Sequence, residues 1–262
     1  MAFRSWDTAH FAKFNSATSS EFLAFYQSYV NAKIKEKASQ PSHRTFAASA
    51  FRCDRRSWFR LRGVEPDAPK VADYTLSFTA EIGTACHRII QSNLKDALGS
   101  DWISVDDWIT SIDFPYDYTV EKSKDGLEHL IEIKSPYPIR FACDGIIKWK
   151  GHYYLLEIKT SEFSSWDKQC DAKEEHIDQV KCYSALLKLD GVLFLYQDRQ
   201  YGQLKCYEEK MTYVDHIQVI RRFEYVIDMV NKNLAPDPLP KGDKWCTPSM
   251  CPYFKKCAEY GR

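Results

Sequence analysis

At 262 residues the chain can hold one large domain with a modest extra lobe, and its 44% hydrophobic and 27% charged residues are ordinary for a globular fold. Basic and acidic residues balance at 36 each, so no overall field steers it to nucleic acid, although Arg52, Arg55, Arg56, Arg60 and Arg62 crowd into one short segment. No stretch approaches the run of about 18 apolar residues that a membrane helix needs, and the opening MAFRSWDTAHFAKF lacks the apolar core of a secretory signal; a cytoplasmic protein with no membrane partner is expected.

In chain order, residues 1–43 are expected to form a helical extension, with an amphipathic helix over 20–37 that turns basic at its end, where cations suit the helix dipole. The polar break ASQPSHR leads into the main domain, 44–262. Residues 44–62 read as a second helix, with Phe46, Phe51, Trp58 and Leu61 apolar and the arginines between them; Trp58 is expected in the core. A third helix is predicted over 80–98, with Ile82, Cys86, Ile89 and Leu98 near helical spacing and Thr79 as its N-cap. Strands follow at 129–134, 139–149, 153–160, 192–198 and 203–210, and Lys150-Gly151-His152 reads as a hairpin turn. Helices over 171–189 and 213–234 separate and follow the later strands, before a Pro-rich bend and a cysteine-rich tail. Helices alternating with strands in this order predict an α/β fold with a mixed sheet. Nine cysteines, an odd number, point in a reducing compartment to buried thiols or a metal site and away from a disulfide framework.

The informative block runs from Arg140 through Asp144 to Trp149, turns, and continues from Tyr153 through Glu157 and Lys159 to Ser161. Residues two apart on a strand share a face, so Glu157 and Lys159 point together while Leu156 and Ile158 pack behind them. A hairpin centred on Gly151 lays the Asp144 strand alongside. Two carboxylates and an amine gathered this way suit phosphodiester hydrolysis: the acids offer oxygen ligands to Mg²⁺ or Mn²⁺, and the amine faces charge building on phosphate oxygens. A Glu-x-Lys alone is common on a solvated strand. Glu132-Ile-Lys134 repeats the tripeptide; its nearest preceding acid, Asp125, stands in an Asp-Gly turn signal, and this copy reads as an ordinary edge or surface strand.

Asp144, twelve residues, then Glu157-Ile-Lys159-Thr160 resembles the core of the PD-(D/E)XK nucleases, and within them the RecB-like branch. That branch includes the nuclease domains of RecB and AddB, CRISPR-associated adaptation nucleases and phage exonucleases. Three flanking signals resemble it in the same order: Gly83-Thr-Ala-Cys-His87 is similar to its GxxxH helix, and Gln179-Val-Lys-Cys-Tyr183 to its QxxxY helix. Cys53 with Cys246, Cys251 and Cys257 is similar to its 4Fe–4S staple, although the gap of four between Cys246 and Cys251 is longer than the usual two.

The resemblance implies a restriction-endonuclease-like mixed sheet flanked by helices, with an N-terminal helical lobe tied to the C-terminus by the cysteines. It implies a DNA nuclease, chiefly an exonuclease, with Mg²⁺ or Mn²⁺ on His87, Asp144 and Glu157, and with Asp144, Glu157, Lys159, Gln179 and Tyr183 as the catalytic set. Four thiolates would satisfy an iron–sulfur cluster, and a tetrahedral zinc is the rival occupant. DNA would be the principal partner, with recombination or CRISPR-adaptation proteins beside it; a phage-encoded chain would work in its host's cytoplasm. Arg52, Arg55, Arg56 and Arg60 would then form a phosphate-contacting face. Cysteines 86, 143, 170, 182 and 206 are expected to be scattered core residues. A non-catalytic iron–sulfur or zinc protein of the same fold, binding DNA or a partner nuclease, is the alternative.

Overall fold

The computed structural model describes residues 17–38, 44–67, 74–123, 126–127 and 129–260; Asp125 lies outside them. The chain divides into two compact units, one of residues 1–41 and 70–81, the other of residues 42–69 and 82–262. In the first, helix α1 (Ala17–Ala38) carries Tyr26, whose ring meets Tyr74 edge-on at 6.2 Å; Tyr74 in turn stacks on Phe78 one turn later. Tyr74 opens helix α3 (Tyr74–Leu98), which begins five residues before the expected cap, so Thr79 sits inside the helix. No helix among the described residues is long and apolar enough to cross a membrane.

The second unit is a mixed α/β fold with two sheets. One has the order β1 (Phe46–Ala47), β5 (Ile139–Cys143), β4 (His129–Ser135), β3 (Asp117–Lys122); the other runs β2 (Trp102–Ile103), β6 (Gly145–Trp149), β7 (His152–Ser161), β8 (Gly191–Asp198), β9 (Leu204–Lys210). β7 and β8 pair in parallel through the crossover helix α6 (Glu174–Leu186), and the other pairs of this sheet are antiparallel. The segment expected as one strand over 139–149 is two, because the chain leaves the first sheet at Cys143 and enters the second at Gly145. Asp144 is the single residue between them. Gly145 is required there: a Cβ on it would stand 2.6 Å from the Trp102 ring of β2.

The predicted turn is present. Trp149 pairs with His152 across a two-residue loop in which Lys150 and Gly151 both adopt positive φ, 50° and 86°, the conformation such hairpins demand. The segment 44–62 is no continuous helix: Phe46 pairs with Ile139 as β1, and helix α2 starts only at Asp54 and ends at Leu61. Pairing with a buried strand overrides local helical spacing here. β4, with its Glu132 and Lys134, is no edge strand either; it lies between β5 and β3, and Ile131 and Ile133 are fully buried. Its neighbour β3 was not legible, nor were the short helices α4 (Val105–Ser111) and α5 (Phe163–Asp167).

Two helices flank β7. From α3, Ile90 and Leu94 pack with Leu156 and Ile158; from α6, Val180 and Tyr183 join the main core with Leu155. Helix α7 (Tyr213–Asn231) is fixed at its start by a capping box between Thr212 and Asp215, and its Phe223 meets Phe46 edge-on. Trp58 and Phe59 are buried in this core, as expected for Trp58.

Candidate active site

Strand alternation sets the geometry. Leu156 and Ile158 face α3, so Glu157 and Lys159 face the opposite side, towards α6. In the β6–β7 ladder Gly145 opposes Leu156, which brings Asp144, one residue before it, beside Glu157. Asp144 is 9% exposed and Glu157 3%. Two carboxylates are therefore sunk side by side at the junction of the two sheets.

Each is held by a helix. The Asp144 carboxylate accepts from the Ile158 backbone N–H at 2.7 Å and lies 3.2 Å from His87 Nδ1 of α3. Its own carbonyl accepts from the side chain of Gln91, one turn after His87, at 2.7 Å. The Glu157 carboxylate accepts from the Tyr183 hydroxyl at 2.5 Å and from Gln179 Nε2 at 3.4 Å, both on α6, and pairs with Lys159. Burial pushes the Glu157 carboxyl above its ordinary range; Lys159 pulls it back and the Asp144 charge adds to the rise. Burial, reinforced by Glu157, pushes the Tyr183 phenol far up, so it stays a donor at working pH. Phe141 stacks on its ring at 5.0 Å and fixes the hydroxyl's direction.

The structure thus joins His87 to Asp144, and Lys159, Gln179 and Tyr183 to Glu157. Gly83, which opens the helical motif, faces Thr160. Among the described residues, no three His, Cys, Asp or Glu side chains stand close enough to cage an ion as they are. Two residues went unnoticed in the sequence. Gln91 is one; its only written signal is the four-residue step from His87. The other is His176 on α6, whose Nδ1 lies 2.7 Å from the Tyr196 hydroxyl; burial, with the charge of Lys159, lowers it to about 3 and keeps it neutral.

Three of the four cysteines of the expected staple line one cavity. Cys53, Cys246 and Cys251 border a cavity of about 50 Å³ with Arg56 and Trp245, and Cys257 is an electrostatic neighbour of Cys53 and Cys251. All nine cysteines are free, and burial raises the thiols of Cys53 and Cys251. Of the remaining five, Cys143 and Cys182 are buried and Cys86 half-buried, but Cys170 and Cys206 are exposed and do not belong to the core. They sit at strand β9 and the loop before α6, where alternation and loop geometry turn them outward.

The arginines do not form one open basic face. Arg55 is 4% exposed and donates to the carbonyls of Pro236 and Tyr260; Arg60 donates to the Thr45 carbonyl at 2.7 Å. Arg52 pairs with Asp178 at 3.0 Å and Glu174 at 3.4 Å, while Arg56 borders the cysteine cavity.

No protein-family model matches the sequence, and no curated protein does. Among solved structures, the chain is similar to SSO0001 at 18% identity and a TM-score of 0.46, covering 88% of this chain and 95% of that one. It is similar to the alkaline exonuclease LHK-Exo of Laribacter hongkongensis at 13% identity and a TM-score of 0.39, over 76% of this chain and 93% of that one. The same exonuclease in complex with dAMP matches at 13% identity and a TM-score of 0.41, over 72% and 89%.

Proposed function

We propose that the chain is a metal-dependent deoxyribonuclease of the PD-(D/E)XK type, an exonuclease that hydrolyses phosphodiester bonds. One observation carries the reading: Asp144, at the break between two sheets, lies against Glu157-x-Lys159 on the next strand, with His87 on the first acid and Gln179 and Tyr183 on the second. Two buried carboxylates against one ammonium leave a net negative charge, which fits a hard divalent cation on Asp144, Glu157 and His87. Bound there, Mg²⁺ or Mn²⁺ would supply Lewis acidity to the phosphate and lower the pKa of a water. Lys159 places a positive charge where phosphorus oxygens gain negative charge, and Tyr183 and Gln179 keep Glu157 aimed.

Three of the four cysteines, Cys53, Cys246 and Cys251, border one cavity, and soft thiols are the donor set an iron–sulfur cluster takes. A 4Fe–4S cluster on Cys53, Cys246, Cys251 and Cys257 is the occupant proposed, with zinc the rival; it would tie the start of the second unit to the chain's end.

The test is digestion of end-labelled linear DNA and of closed circular DNA with Mg²⁺ or Mn²⁺, with and without EDTA. Metal-dependent release of nucleotides from linear DNA is expected, and Asp144→Asn and Lys159→Ala should abolish it while circular dichroism stays unchanged. Full activity in either variant would falsify the assignment. Silence of the parent in both metals would leave a non-catalytic binding role. Iron and zinc analysis of anaerobically purified protein settles the staple: four irons with visible thiolate-to-iron absorption is expected, and colourless protein with one zinc would replace the cluster.

A further inference from the structure

The two acids are gripped by the same device. On α6, Gln179 and Tyr183 stand four residues apart, share a helical face and both donate to the Glu157 carboxylate. On α3, His87 and Gln91 stand four residues apart, share a face and both reach Asp144. The grip on Asp144 differs in one respect: His87 meets the side chain, whereas Gln91 meets the main chain.

That difference follows from topology. Asp144 belongs to neither sheet. Its carbonyl, buried at the junction, has no ladder partner, and a buried carbonyl without a donor is costly. Gln91, 1% exposed, supplies the donor at 2.7 Å. Fixing that carbonyl fixes the peptide plane, and with it the direction in which the Cα–Cβ bond delivers the carboxylate to His87 and Ile158 N–H. We infer that Gln91 is a positioning residue of the site: it sets the orientation of Asp144 through the backbone. The inference rests on the nuclease reading above.

The experiment compares the full-length parent with Gln91→Met and Gln91→Leu, which keep bulk and lose the donor. Three quantities are read: circular dichroism and melting temperature, Mn²⁺ affinity by calorimetry without DNA, and kcat and KM on end-labelled DNA. Both variants are expected to fold, to bind Mn²⁺ about 10-fold more weakly and to lose about 10- to 100-fold in kcat, with KM for DNA held within about twofold, as partners behind metal ligands do. Folded variants with parental Mn²⁺ affinity and kcat overturn the inference whatever their melting temperature, since packing alone would then explain Gln91. If Gln91→Met does not fold, Gln91→Leu carries the measurement, and the Mn²⁺ titration reads it even where turnover is slow. A competent parent with indifferent variants sinks this inference alone; a parent that neither binds Mn²⁺ nor cuts DNA sinks the nuclease reading and this inference with it.

Discussion

Sinking Glu157 to 3% exposure takes a charge out of water, and its surroundings answer with a phenol, an amide and an ammonium. Removing one donor leaves a carboxylate oxygen with a partner missing. Tyr183→Phe is expected to cost about 1–3 kcal/mol of stability, as an unsatisfied buried acceptor does, and to lower nuclease turnover; urea unfolding and end-labelled digestion measure the two. A variant as stable and as active as the parent would show that Glu157 does not need the phenol. Nearby, His176 is held at about 3, well under the ordinary histidine value, by burial and then by Lys159. Its folded pKa lies below its unfolded one, so the unfolded chain takes up the proton first. The stability it protects is whole above about pH 6.5 and drains away as pH falls towards 3. Unfolding free energy followed by urea titration between pH 7 and 4 should therefore fall less steeply in His176→Gln than in the parent; equal slopes would remove His176 from the acid response.

At the scale of elements, the hairpin was open to reading because strand periodicity and a Lys-Gly turn agree on register. Once Gly151 is the turn, Asp144 must lie near Glu157 and the facing of Lys159 follows. What sat beyond reach was the break at Asp144, since an apolar run reads the same whether one sheet or two claim its halves. Gln91 stayed hidden for that reason: its value depends on a carbonyl that only the break leaves without a partner. β3, a half-exposed Asp-Tyr-Thr-Val-Glu-Lys, alternates but lacks the branched apolar density that marks a buried strand. Phe46 and Ala47 fell to a long-range pairing with Ile139 and Arg140 that local spacing does not encode. Gly145 tests the break directly. Its Cβ position is filled by the Trp102 ring, a rigid neighbour that cannot step aside. Gly145→Ala is expected to cost about 1–3 kcal/mol through overpacking, read as a lowered melting temperature; an unchanged melt would mean that β2 yields freely.

Over the whole second unit, the ends of its sequence are bound together by polar and aromatic contacts. Arg55 reaches the carbonyls of Pro236 and Tyr260, Asp67 accepts from the backbone of Lys255 and Lys256, and Phe59 stacks on Tyr253 at 5.2 Å. Arg55→Met strips several buried carbonyls of a charged donor, at about 1.5–3 kcal/mol for each such bond. The expected result is early tryptic cleavage at Lys255 and Lys256 in otherwise folded protein; a tail as protected as the parent's would mean that the aromatic contacts suffice. From sequence this closure was expected of the cysteines alone, and the arginine cluster misled, because buried guanidinium tethers and solvent-facing ones look alike in one dimension.

The placement of Asp144 has a mechanical consequence. A residue that serves as the seam between two β-layers feels any slip of one against the other before a single rung of either gives way. Mild urea or heat should therefore silence the proposed DNA cutting while the far-ultraviolet spectrum is still that of the intact protein, and restoring native solvent should bring the cutting back without a refolding lag. Loss of chemistry and of strand signal at one common midpoint would instead mean that the layers part only when everything does.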